Sequence, residues 1–257
     1  MRNALSMLKT YITTYVGEAW LGEIERAELN GYVKDMEFVD TKADRSKDPL
    51  RKNHLLKIIE EKDKRKWEDQ YWIMVLILGY KGCLRSGELM GGIRAEDILW
   101  DGDMKGFKLR LWRTKTHRRG GHIHVHIRDS GFALSAVDHM KDWFRRNDFG
   151  PHTKEKFIFP RLVKQGKVTK IDWEQAGTQP QMAKEIKRAV KSIGLNPERF
   201  AGHSLRAGMA TDMFVSGHLS LGQIMKFGRW ESTEMCLKYY RPKDEIAKTI
   251  FEAIETV

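Results

Sequence analysis

The stretch from residue 107 to residue 127 constrains the fold most, because there an otherwise helical chain changes its period. Phe107, Leu109 and Leu111 alternate with Lys108, Arg110 and Trp112, and Ile123, Val125 and Ile127 alternate with His122, His124 and His126. Strict alternation places each apolar set on one face of a strand. Between them Thr116-His117-Arg118-Arg119-Gly120-Gly121 offers two glycines that accept positive φ, which predicts an antiparallel hairpin. Ile98 to Trp100 predicts a third strand.

Elsewhere the period is helical. Leu5, Leu8, Ile12, Val16 and Trp20 recur at helical spacing, so residues 1–38 are expected to be helical. Further helices are expected at 55–62, 67–80, 86–90, 132–146, 180–193, 204–216, 220–227, 232–240 and 243–255. Trp72 to Leu78 is the longest apolar run, too short to span a bilayer; bounded by Gln70 and Lys81, it reads as a buried helix that Gly82 stops. The polar segment from Asp40 to Arg51, with Pro49 near its end, reads as a linker. The expected organisation is a helical segment and linker over 1–48 and a main domain over 49–257. The expected class is α+β, mostly α-helical, with a small antiparallel sheet at one edge.

Lys and Arg number 46 against 35 Asp and Glu, a net charge of +11. Such an excess points to a polyanionic partner, nucleic acid before an acidic membrane. Neither a signal peptide nor a membrane span is read, so the expected setting is intracellular. Cys83 and Cys236 lack Cys-x-x-Cys spacing, which argues against a disulfide framework or thiolate zinc site and fits a reducing compartment. His122, His124 and His126 share a strand face, but alternation explains their spacing and no carboxylate or thiolate joins them. They are read as the polar, phosphate-facing side of the hairpin, and neither metal nor cofactor is expected.

The chemistry-bearing residues are scattered. Attack on a phosphodiester builds negative charge on the non-bridging oxygens, and an arginine fork grips two oxygens at once. Arg85, just after the Gly82 turn, and Arg206 are the candidates, with Glu88 in reach to orient a cation. Lys115 closes a hairpin strand and is placed to protonate a departing 5′ oxygen. Tyr239 is a candidate nucleophile, whose phosphate ester would conserve the bond energy for rejoining without ATP or metal. Each has a plainer reading: an Arg85–Glu88 salt bridge, a solvated hairpin lysine, a capped helix holding His203 with a surface Arg206, a half-buried tyrosine beside Tyr240. Helices 204–216 and 220–227 also look like a helix-turn-helix.

In order, Leu84-Arg85 with Glu88, Arg113-Thr114-Lys115-Thr116, Gly202-His203-Ser204-Leu205-Arg206, Gly228-Arg229-Trp230 and Tyr239 closely resemble the catalytic boxes of the tyrosine recombinases, the phage-integrase family. The resemblance covers about residues 49–257 and implies that family's catalytic fold. The family's tyrosine stands nine residues after the His/Trp position, which selects Tyr239 over Tyr240. By the same resemblance Arg85 and Arg206 would hold the scissile phosphate and Lys115 would protonate the leaving oxygen. His203 would bond the phosphate and assist proton transfer, Trp230 would bond a phosphate oxygen through its indole N–H, and Glu88 would support them. Arg113, Arg118 and Arg119 are candidate DNA contacts. The implied partner is double-stranded DNA, with dimers or tetramers assembling through the amphipathic stretch 243–257. Residues 1–40 are too short for the family's usual core-binding domain and are expected to be a remnant of it, at most its last helix or two. Two other readings remain open, a type IB topoisomerase and a DNA-binding protein that has lost turnover.

Overall fold

A computed structural model describes residues 47–112, 121–129, 132–166 and 168–240, within a unit that begins at Lys47. The helices expected at 1–38 and 243–255 lie outside the described residues, as do the hairpin turn with Arg113, Lys115, Arg118 and Arg119 and nearly all of the 1–48 segment.

The core is built on one helix. After α1 (Lys52–Glu60), α2 (Trp67–Lys81) buries every residue from Gln70 to Tyr80. A helix apolar on all sides has no solvent face and must be wrapped. It is packed by α4 (Ala136–Arg146) and α6 (Ser204–Val215). Two buried polar groups are satisfied: Trp143 Nε1 donates to the Ile158 carbonyl at 2.9 Å and the Tyr71 hydroxyl to the Pro160 carbonyl at 3.0 Å. Gly82 ends α2 and α3 (Ser86–Leu89) follows at once. None of the helices among the described residues is long and apolar enough to cross a membrane.

The expected three-stranded sheet forms from β1 (Ile98–Trp100), β2 (Gly106–Trp112) and β3 (His122–Arg128), antiparallel in the order β1-β2-β3. Leu109 pairs with Val125 and Trp112 with His122. Leu109, Leu111, Val125 and Ile127 enter the core, while Lys108 and the three histidines of β3 face outward.

A second hairpin, β4 (Pro160–Gln165) with β5 (Val168–Ala176), is not expected from the sequence. β5 alternates in burial only from Val168 to Ile171 and has no fully buried residue; Ile171 rests on the edge of the core. Trp173 meets Trp67 and Phe149 edge to face. α4 begins at Ala136, not near 132, because Ser135 caps it and Asp129 accepts the amides of Ala136 and Val137 at 3.1 Å each. α5 (Gln179–Ser192), α7 (Leu221–Gly228) and α8 (Thr233–Leu237) complete the described helices.

The segment before α1 fixes α6. The Leu50 amide donates to the Ser204 carbonyl at 2.8 Å. Asp212 accepts from Arg51 Nε at 2.6 Å, the Lys52 amide at 2.9 Å and the Tyr80 hydroxyl at 2.5 Å. A Cβ on Gly208 would overlap the Leu50 carbonyl, so only glycine permits this approach.

Candidate active site

The site is built around the turn that ends α2. Cys83 there takes φ of 47°, a left-handed conformation that costs a non-glycine residue about 1–2 kcal/mol. Its carbonyl accepts from Arg206 Nη1 at 2.5 Å and from Arg229 Nη2 at 2.9 Å. Arg85 follows as the N-cap of α3. Glu88 reaches back to the Arg85 amide at 2.9 Å and pairs with Arg85 Nη1 at 2.6 Å. Glu88 also accepts from Arg229 Nη2 at 3.0 Å. Burial pushes the Glu88 carboxyl up, but the Arg229 charge and the bonds from Arg85 outweigh it and hold it below its ordinary 4.5.

Arg206 comes from α6 and has 0% exposure. Its second fork nitrogen donates to the Gly228 carbonyl at 2.5 Å. The guanidinium carbon lies 4.4 Å from the centre of the Trp230 ring and 5.2 Å from that of Tyr239. Burial lowers its pKa from the ordinary value, as do the like charges of Arg229 and Arg85. Trp230 reaches this position because Gly228 lacks a side chain: a Cβ there would overlap the indole ring.

After α8 the chain tightens, with the Tyr239 and Tyr240 amides donating to Cys236 and Leu237 at 3.0 Å each. The two tyrosines then diverge. The Tyr239 ring centre is 5.4 Å from that of Trp230, and the Tyr240 ring is 4.6 Å from Phe214. Tyr239 therefore stands on the arginine cluster and Tyr240 turns from it.

Arg85 and Arg229 share the Glu88 carboxylate while Arg206 is held by carbonyls alone, so among the described residues the three guanidiniums leave a surplus of two positive charges largely withdrawn from solvent. Arg206 Nε, Arg229 Nε and Trp230 Nε1 are buried with no hydrogen-bond partner among the described residues. Buried donors without acceptors cost about 1–3 kcal/mol each, so the cluster is short of anionic oxygens. Burial pushes both free thiols up, Cys83 at the turn and Cys236 on α8, the latter to about 12, so neither is an activated nucleophile.

The structure thus brings Arg85, Glu88, Arg206, Trp230 and Tyr239 together. The plain Arg85–Glu88 ion pair is present, and it is part of the cluster. His203 is the N-cap residue of α6, one turn before Arg206; it is exposed, whereas Arg206 is wholly buried and is not the surface arginine of the plainer reading. Lys115, Arg113, Arg118 and Arg119 lie outside the described residues. Of the outward histidines, His122 and His124 are in contact, their rings 4.8 Å apart. Among the described residues no group of three or more His, Cys, Asp or Glu is placed to hold a metal ion. Sequence reasoning missed the part played by Arg229. The available signal was an arginine at a helix end where glycine is the usual residue.

The fold is that of the tyrosine-recombinase catalytic domain. Residues 49–245 match the model of the phage integrase family, and the chain belongs to that family. Among solved structures it is similar to the XerH site-specific recombinase in a post-cleavage complex with palindromic difH substrate, at TM-score 0.58 and 16% identity, covering 83% of this chain and 54% of that one. It is similar to XerA recombinase at TM-score 0.54 and 13% identity, covering 81% and 64%. For the Tn1549 transposon integrase with circular intermediate DNA the values are 0.51 and 13%, covering 82% and 66%. The chain therefore spans about half the length of the XerH structure. No curated protein sequence matches it.

Proposed function

We propose that this chain cuts and rejoins double-stranded DNA through a covalent 3′-phosphotyrosine and so carries out site-specific recombination. The observation that carries this is the buried surplus of arginine charge around Cys83 and Glu88 with the Tyr239 phenol stacked on it. Tyr239 Oη attacks the scissile phosphorus and the bond from phosphorus to the 5′ oxygen breaks. Lys115 gives that oxygen its proton, and His203 takes the phenol proton. Attack by a 5′ hydroxyl reverses the step and releases Tyr239. Bond energy is kept in the ester, so the scheme calls for neither ATP nor metal. Arg85 and Arg206 stabilise the charge that builds on the phosphate. Arg206 exchanges a carbonyl partner, at Cys83 or Gly228, for a phosphate oxygen when DNA binds. Trp230 supplies its unpartnered indole N–H to the same phosphate. Arg113, Arg118 and Arg119 meet the backbone beside Lys115, and 243–257 joins protomers into dimers or tetramers on DNA.

The test uses a library of nicked duplexes with a randomised core, in which the cut fragment diffuses away and traps the ester. Denaturant-resistant protein–DNA adducts are expected from the native chain and absent from Tyr239→Phe. Adducts that persist in Tyr239→Phe and vanish in Tyr240→Phe would move the nucleophile by one residue. Plasmid relaxation on any sequence would identify a topoisomerase instead. Binding without adducts from any library member would identify a protein that holds DNA but does not cut it.

A further inference from the structure

Arg229 lies between the two arginines assigned to the phosphate. On one side it shares the Cys83 carbonyl with Arg206, and on the other it shares Glu88 with Arg85. Its first fork nitrogen also donates to the carbonyls of Gly82 at 3.1 Å and Phe227 at 3.3 Å. One side chain thereby ties the end of α2, the start of α3 and the end of α7.

The backbone at Arg229 is as informative as the side chain. It caps α7 at φ 60° and ψ 46°, the left-handed region. Glycine takes that conformation freely and an L-residue with a long side chain does not. An outlier held against local preference points to what the side chain does. A lysine could not do the same, because a single ammonium lacks the planar fork that meets several acceptors in fixed directions.

We infer that Arg229 is a positioning residue for strand cleavage: with both fork nitrogens held by protein acceptors, it fixes the spacing of Arg85 and Arg206 through Glu88 and the Cys83 carbonyl instead of gripping the phosphate. The inference rests on the phosphotyrosine reading above. Without Arg229, Glu88 and the Cys83 carbonyl each lose a donor and the two guanidiniums lose their common reference. Both then spend more time out of line with the phosphate.

Arg229→Gly removes the fork and relieves the turn. Arg229→Lys keeps one charge. Adduct formation is followed in a single turnover on a nicked duplex recovered from the library, at saturating protein. The expected result for Arg229→Gly is a rate lowered about tenfold to a hundredfold, with adduct amplitude and half-saturating concentration close to native. Arg229→Lys should fall between. A purely structural role would instead lower the amplitude and the melting temperature and leave the rate of the folded fraction unchanged. That pattern, or a native rate in Arg229→Gly, would overturn the inference. A shifted half-saturating concentration at native rate would also overturn it, because Arg229 would then be a DNA contact. Failure of the native chain itself to form an adduct would remove the phosphotyrosine reading and this inference with it. Native adduct formation alongside an unaffected Arg229→Gly would remove this inference alone.

Discussion

At the scale of single residues, the site depends on where one carboxylate sends its charge. Glu88 accepts from Arg85 and Arg229 and is, among the described residues, the one carboxylate bonded within the cluster of three guanidiniums. Its folded-state pKa is depressed, so the stability it supplies is present above its ordinary 4.5 and is lost as pH falls through the lower, folded value. Glu88→Gln should therefore be less stable than the native chain near neutrality. The difference should shrink as pH falls below 4.5, read from urea unfolding at each pH. A constant difference would mean that the carboxylate is not held by its partners. Most of the site's members were legible one by one, since Arg85, Arg206, Trp230 and Tyr239 stand in recognisable boxes. Arg229 stands in one of those boxes and was still not legible as a hub. An arginine at a helix end reads as a surface cation until tertiary structure supplies Gly82, Cys83 and Glu88 as acceptors. Nor does His203-Ser204-Leu205-Arg206 reveal that Arg206 is buried and His203 is not.

At the scale of elements, the site is as rigid as the parts that carry it. α6 supplies Arg206 and is clasped by the chain entering α1, through Asp212 and the close pass of Leu50 over Gly208. Asp212→Ala would leave the Tyr80 hydroxyl and the Arg51 guanidinium without this acceptor and cost about 2 kcal/mol. Denaturant unfolding should show a lower midpoint at unchanged slope, and a shift of a few tenths of a kcal/mol would contradict the clasp. The sequence announced β2, β3 and α2 because their burial follows a clean period or is total. It did not announce β4 and β5. Trp173 leans on Trp67 and Phe149 and Leu162 enters the core, contacts across the fold that no local pattern records. The start of α4 was misplaced for a similar reason, since Asp129 caps it across several intervening residues.

At the scale of the molecule, chain order and spatial order part company. The residues that meet around Cys83 come from the ends of α2 and α7, from α3 and α6, and from the turn after α8, positions 83 to 239 in the chain. Their convergence needs the helix packing around α2 to be complete. The excess of basic residues over the whole chain suits a long polyanion, whereas the surplus buried in the cluster suits one phosphate. The central claim is that this cluster and the Tyr239 phenol address the same phosphorus. The most direct test is a crystal structure of the chain on a nicked duplex with orthovanadate in place of the scissile phosphate. Tyr239 Oη bonded to vanadium opposite the 5′ oxygen, with Arg85 and Arg206 nitrogens on the equatorial oxygens, is the predicted result. Vanadium bonded to another residue, or Arg206 still held by both carbonyls and clear of the vanadate, would contradict it.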